Sequence, residues 1–293
     1  MSERLELLKP VLDRFKRRFS VIDLGCGPGD LSQEIAANYD AAVFAVDRNR
    51  QPIMKNSNVT QLQVELTPSL LRSLSNCEHF DVVLAMNILH HYGEKDWEYA
   101  LNIILNMGWH VVVQLPPRGA TRVAGESLVN FMLDCMTHRD IQKLGEAWYR
   151  PFQHHRPIWL KTNNPVKPLP FHTLCGRTPR LRDAEYSNYW TVSASYEAVS
   201  ASRHKTGQVQ DPWITGMNLW NICQLHPVSP TLEEFARMIQ EYPLDRFHGD
   251  IIPWNFIYDG RRLHLIDYGE REIVPDAQGI QDAARDVLEC QGL

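Results

Sequence analysis

Two groups of residues in this sequence combine type and spacing in a way that does chemistry. The first is Val21-Ile22-Asp23-Leu24-Gly25-Cys26-Gly27-Pro28-Gly29, an apolar run entering a Gly-x-Gly-x-Gly turn, with a helical pattern over 31–37 directly after it. Glycine permits a sharp reversal and lets a ligand come closer than a Cβ would allow. Asp47 closes the next apolar run, eighteen residues past Gly29. A carboxylate there can accept hydrogen bonds from both hydroxyls of a ribose. Glu65, at the end of a third run, stands where a side chain could meet an adenine edge. His90 and His91 lie just beyond the run Phe80–Ala85. One of them can serve as a base or an acceptor contact; two turn imidazoles shaping a pocket wall are the plainer reading.

The second group is Phe247-His248-Gly249-Asp250-Ile251-Ile252-Pro253-Trp254-Asn255, followed by Leu265-Ile266-Asp267-Tyr268-Gly269-Glu270. Between them Asp259-Gly260 is flanked by apolar residues, a strong hairpin signal. A hairpin returns Asp267 to the side of Asp250 and Asn255. A base, an amide and a carboxylate that converge are what phosphoryl transfer uses: Asp250 to take the hydroxyl proton, Asn255 and Asp267 to hold Mg²⁺.

The elements that must position these groups follow from periodicity. Strand-like runs at Phe19–Leu24, 42–46, 59–66, Phe80–Ala85 and 110–114 are separated by helical lengths at 31–37 and 97–107. Apolar runs spaced in this way predict a parallel sheet covered on both faces. Another helix is expected over 126–137, and Gln142–Tyr149 with 156–161 as two closing strands. The prediction is an α/β fold, a doubly wound and mostly parallel seven-stranded sheet over residues 1–165. Pro165, Pro168, Pro170 and Pro179 then cluster, so a boundary is placed there, with 166–293 as a smaller α+β segment. Helices are expected over 231–241 and 282–289. Leu5, Leu8, Leu12, Phe15 and Phe19 suggest an amphipathic first helix, whose six Lys/Arg against three acids read as a solvated face. Arg156 and Lys161, near the boundary, read as long surface side chains, with contact to an anionic acceptor the alternative.

Composition narrows the partners. At 293 residues, 44% hydrophobic and 22% charged, the chain has the material of a globular core, not of a disordered or fibrous one. A net charge of −5 supplies no overall positive field for a nucleic acid. The six cysteines show no Cys-x-x-Cys pair, which argues against zinc and against a disulfide scaffold and for a reducing cytoplasm. The start lacks the apolar core of a signal peptide, and the apolar runs fall far short of the roughly 20 residues of a membrane helix. Oligomeric state leaves no signal.

The segment from Asp23 to Gly29, the acid at Asp47, and the run Phe80-Asp81-Val82-Val83-Leu84-Ala85-Met86-Asn87-Ile88-Leu89-His90-His91-Tyr92 together resemble the class I S-adenosylmethionine-dependent methyltransferases. The turn is Gly-x-Gly-x-Gly and lacks the Gly-x-Gly-x-x-Gly spacing of dinucleotide folds. The resemblance implies S-adenosylmethionine as cofactor, held by Asp23, Gly25, Gly27, Gly29, Asp47, Glu65 and Asn87. The second group resembles the catalytic core of protein-kinase-like phosphotransferases of the aminoglycoside and choline kinase type. That resemblance implies Mg²⁺ and ATP, but no Gly-x-Gly-x-x-Gly and no Val-Ala-x-Lys lies between Pro165 and Thr231. The two in this order resemble bacterial enzymes that phosphorylate and then methylate a glycan end. The expected function is O-methylation of a sugar or phosphorylated glycan end. A Mg·ATP-dependent kinase of a small molecule or glycan, and a non-catalytic nucleoside-binding scaffold, are the rivals.

Overall fold

The computed structural model of the chain describes residues 2–16, 19–49, 56, 58–77, 80–86, 88–93, 96–116, 130, 132–134, 136, 141–149, 154–163, 195–197, 213–215, 217–225, 227–243, 251–265 and 277–290. Seven strands form one sheet: β1 (Phe19–Leu24), β2 (Ala41–Asp47), β3 (Val59–Gln63), β4 (Phe80–Ala85), β5 (Gly108–Gln114), β6 (Gln142–Tyr149) and β7 (His154–Thr162). Their order is β3-β2-β1-β4-β5-β7-β6. The first five are parallel, and β7 runs antiparallel to both β5 and β6. The α/β doubly wound sheet expected from the sequence is therefore present.

Every residue of β1 and β4 is buried, because helices cover both faces. Val21, Val43, Ala45, Val82 and Leu84 point to the layer of α1 (Glu3–Leu12) and α2 (Asp30–Asn38). Ile22, Leu24, Phe44, Val46 and Val83 point to the layer of α3 (Pro68–Cys77) and α4 (Trp97–Ile104). This alternation is the period of two that a strand imposes. Two expectations need correction. The first helix ends at Leu12, and Phe19 opens β1, where its ring stacks on Phe15 at 4.4 Å. The third strand ends at Gln63 instead of running to 66. Thr67 turns the chain into α3 there, accepting the Leu70 N–H on Oγ1 at 3.3 Å and the Leu71 N–H on its carbonyl at 2.9 Å.

The later elements are shorter. β8 (Ser195–Glu197) pairs with β9 (Trp213–Thr215), and β10 (Met217–Asn218), β11 (Phe256–Tyr258) and β12 (Leu263–Leu265) form an antiparallel three-stranded sheet. The hairpin expected at Asp259-Gly260 is present. Asp259 Oδ1 accepts from the Arg261 and Arg262 amides at 2.8 and 2.9 Å, and Gly260 takes φ +91°. Three helices complete the segment: α5 (Leu219–Cys223), α6 (Leu232–Gln240) and α7 (Ala277–Glu289). α6 opens with a capping box between Thr231 and Glu234, and it packs along α7.

Phe235, Phe256 and Ile280 belong to the same apolar core as Leu62, Val64 and Leu66 beside β3. Ser229 donates its N–H to the Gln63 carbonyl at 2.9 Å, which covers the open edge of the sheet. The boundary near residue 165 and most of the expected 126–137 helix lie outside the described residues. Among the described residues no helix is long and apolar enough to cross a membrane.

Candidate functional site

The strand order reverses between β1 and β4, so the chain leaves those two strands in opposite directions and opens a crevice at their carboxyl ends. The glycine turn stands on one side. Gly25 and Cys26 both donate N–H to the Val46 carbonyl, at 2.8 and 3.1 Å, which ties the turn over β2. Gly25, Gly27 and Gly29 take φ of +70°, +56° and +79°, values that favour glycine. A Cβ on Gly25 would lie 3.3 Å from Cβ of Ile88, across the crevice after β4. A Cβ on Gly27 would meet nothing within 4 Å, so the space in front of it is open. Asp47 borders that space. Its Oδ2 accepts from the Gly27 amide and its Oδ1 from the Asn49 amide, both at 2.9 Å. Asp23, 2% exposed, accepts from the Ser32 hydroxyl at 2.7 Å and so ties β1 to α2. Burial pushes its carboxyl up to about 6, against the pull of Ser32 and Arg4.

The structure thus brings Asp23, Gly25, Gly27, Gly29 and Asp47 into one cradle. Glu65 stands exposed in the chain beyond β3, two residues past its end. Asn87 lies outside the described residues. Sequence reasoning missed Arg4 and Gln114. Arg4, on α1, donates Nη2 to Gln114 Oε1 at 2.7 Å, and Gln114 is wholly buried at the end of β5 with no hydrogen-bond partner for Nε2. The one signal available was a polar residue closing an otherwise apolar strand.

Beyond β4 the 3-10 turn Leu89–His91 brings the two imidazoles to a centroid separation of 4.3 Å. His90 is 4% exposed, and its Nδ1 has no hydrogen-bond partner. Burial, then the charges of His91 and Arg156, lower it to about 3. His91 is exposed and is lowered by desolvation, Arg48 and Arg156, with Asp47 pulling the other way. Arg156 is the main surprise. Expected at the surface, it is 2% exposed, and its Nε donates to His154 Nε2 at 3.2 Å. The reason is strand direction: β7 is antiparallel, so its beginning lies at the carboxyl ends of the parallel strands. Lys161 pairs with Val111 near the other end of β7 and is half-buried.

A pH dependence follows from His90. The unfolded chain protonates it near 6.5 and the folded chain near 3, so between these values the unfolded state holds the extra proton. Stability is expected to fall as pH drops through that window, by at most about 1.4 kcal/mol per pH unit from this group. Asp23 acts oppositely: its folded pKa is raised, so it adds stability as pH falls from about 6 to 3.8. Urea unfolding across pH 4–7 should therefore show a flatter acid limb in His90→Asn than in the wild type. Superimposable pH profiles would mean that His90 is not held neutral.

In the second segment Asn255 ends the 3-10 turn Pro253–Asn255, is buried, and donates its N–H to the Ile252 carbonyl at 2.9 Å. Asp250 and Asp267, its expected companions, lie outside the described residues. Among the described residues no three His, Cys, Asp or Glu side chains gather as a metal site.

The fold and the cradle are those of a methyltransferase domain. Residues 21–107, the stretch from the glycine turn through α4, match the family model described as a methyltransferase domain. A comparison with curated protein sequences finds no match. Among solved structures the chain is similar to the bifunctional kinase-methyltransferase WbdD, at 16% identity over 93% of this chain and 76% of that one, with a TM-score of 0.45. It is also similar to the methyltransferase domain of bacterial CtHen1, at 16% identity, 55% of this chain, 97% of that one and a TM-score of 0.40. A third is the N-methyltransferase NodS from Bradyrhizobium japonicum WM9, at 14% identity, 54% and 93% coverage and a TM-score of 0.40. The methyltransferase domain rests on the matched stretch and the strand order, not on these partial overlaps. The open face of Gly27, the carboxylate of Asp47 and the buried, unsatisfied Gln114 amide suit a cofactor with hydroxyls at one end and an amino acid at the other.

Proposed function

We propose that this methyltransferase acts on an oxygen of a negatively charged sugar or glycan end. The observation that carries this reading is Arg156, buried at the carboxyl edge of the sheet with its charge felt at both His90 and His91. A buried guanidinium beside imidazoles kept neutral sets up a positive field that attracts an anion in a low-dielectric setting. In this reading Gly25, Gly27 and Gly29 admit the cofactor's aminocarboxylate end, and Asp23 holds the turn through Ser32. Asp47 accepts the ribose hydroxyls, with Glu65 on the adenine side and Asn87 as a further cofactor contact. When bound, S-adenosylmethionine supplies a methyl group that its sulfonium already makes electrophilic. The chain's own task is to hold the acceptor oxygen in line and exclude water, an effect of up to about 7–11 kcal/mol in the best cases. His90, at about 3, is too weak a base near neutral pH to take a hydroxyl proton. It suits a hydrogen-bonding wall, and His91 is left as the contact facing the acceptor. An acceptor that is already anionic needs no base at all.

A second reading, supported by the 256–265 hairpin that turns the chain back toward Asn255, assigns the later segment to Mg·ATP. Asp250 would be its base, with Asn255 and Asp267 on the metal.

Calorimetry with S-adenosylhomocysteine, followed by transfer of labelled methyl to matched glycans with and without a terminal phosphate, tests the first reading. Binding with transfer confined to the phosphorylated acceptor is expected. Equal transfer to both removes the anionic acceptor, and failure to bind S-adenosylhomocysteine removes the cradle. Mg·ATP binding lost in Asp267→Ala would support the second reading, and wild-type protein without Mg·ATP binding would end it.

A further inference from the structure

Cysteines that are scattered along the sequence meet in the later segment. Cys223 ends α5 and is fully buried; Cys290 follows α7 and is 7% exposed. The two thiols lie close enough for each to shift the other's ionisation. Gln224, the next residue after Cys223, donates Nε2 to Cys290 Sγ at 3.1 Å. Cys290 is therefore the sulfur that accepts an amide N–H, and it is the more exposed of the two. We propose that Cys223 and Cys290 are a dithiol pair that a hydroperoxide converts into a reversible disulfide joining α5 to α7.

The hydrogen bond to Cys290 sets the order of events. A sulfur that accepts an amide N–H is stabilised as thiolate, the reactive form, and the Cys290 thiol is held below its ordinary value while that of Cys223 is pushed up. Cys290 sulfur attacks one peroxide oxygen. The O–O bond breaks, the second oxygen leaves as water, and a sulfenic acid remains on Cys290. Cys223 sulfur then displaces that hydroxyl, the S–O bond breaks, a second water leaves, and an S–S bond of about 2.05 Å forms. Two thiols are oxidised by two electrons and one peroxide is reduced to two waters. No other described cysteine is set up this way. Cys26 lies at the glycine turn, where burial and the charges of Asp23 and Asp47 push its thiol up and leave it protonated.

The position gives the bond a consequence. α5 and α7 both pack against the Pro253–Asn255 turn, so a covalent link between them fixes the ground under Asn255. It also shortens the unfolded chain's freedom over the span between the two cysteines, which stabilises the folded segment. Nothing here depends on the methyl acceptor.

The test uses the full chain. Trypsin releases Cys223 within residues 206–237 and Cys290 within residues 286–293. After hydrogen peroxide treatment of dilute protein, alkylation and digestion without reductant, mass spectrometry should find these peptides joined. The joined species should be two hydrogens lighter than the pair, and dithiothreitol should separate it. The thermal midpoint of the oxidised monomer should rise and return on reduction. Cys223→Ser should lose both the link and the rise. Three results would overturn the proposal: both cysteines alkylated separately after peroxide, Cys290 recovered as sulfinic acid beside an alkylated Cys223, or a link found only in dimers on a non-reducing gel.

Discussion

Replacing Asp47 with alanine is expected to weaken binding of S-adenosylhomocysteine about 100-fold and leave the fold in place. The carboxylate is half-exposed at the end of β2, so its loss opens no buried hole. What is lost is an acceptor for the Gly27 and Asn49 amides and, in the proposed reading, for the ribose hydroxyls. A hydrogen bond to a charged group is worth about 1.5–3 kcal/mol, and about 2.7 kcal/mol is a factor of 100. Asp47→Asn keeps one oxygen acceptor and should fall between, near tenfold. Gly27→Ala supplies the control. The added methyl meets no protein atom within 4 Å, so folding bears only the positive φ, a cost of about 1–2 kcal/mol, yet the methyl stands in the space proposed for the cofactor. Affinity should therefore drop far more than the thermal midpoint. Calorimetry and thermal melting on the three variants separate the effects. Unchanged affinity in Asp47→Ala would mean that the ribose lies elsewhere.

Asp47 was legible in the sequence because everything that places it is local. A buried parallel strand reads as a continuous apolar run, a glycine turn as punctuation, and an acid at a strand end stands out against both. β1, β4 and the glycine turn came from such signals, and the helix beginning near Thr231 from the same kind of spacing. Arg156 was not legible in this way. Its burial comes from β7 running antiparallel and returning its first residues to the carboxyl edge, which depends on a pairing with β5 over forty residues away in sequence. A long cation in a polar-looking strand gives no hint of that. Gln114 and Arg4 meet across 110 residues of chain, and Cys223 meets Cys290 across α6 and a hairpin. α3 was passed over because Val64 and Leu66 continue the apolar alternation of β3, and only Thr67 marks the change of element.

The same non-local placement makes Arg156 the sharpest probe of the acceptor. Arg156→Gln is expected to raise the KM for an anionic acceptor at least tenfold and to leave S-adenosylhomocysteine affinity unchanged. Glutamine retains a donor for His154, so the stability cost should stay near the 1–3 kcal/mol of a rearranged buried polar group. The charge, however, is gone. Since Arg156 lowers both His90 and His91, its removal must let both imidazoles rise, and the exposed His91 is the one whose proton resonances can be followed through a titration. A purely structural arginine would not produce that shift together with a selective KM effect. Arg156→Lys keeps the charge but loses the planar fork that grips a phosphate or carboxylate in two places. It should therefore hold the His91 titration near its wild-type position and recover only part of the KM. If His91 moves in Arg156→Gln while KM does not, the guanidinium sets the field at the imidazoles without touching the acceptor. The negative charge assigned to the substrate would then have no receiver at this edge of the sheet.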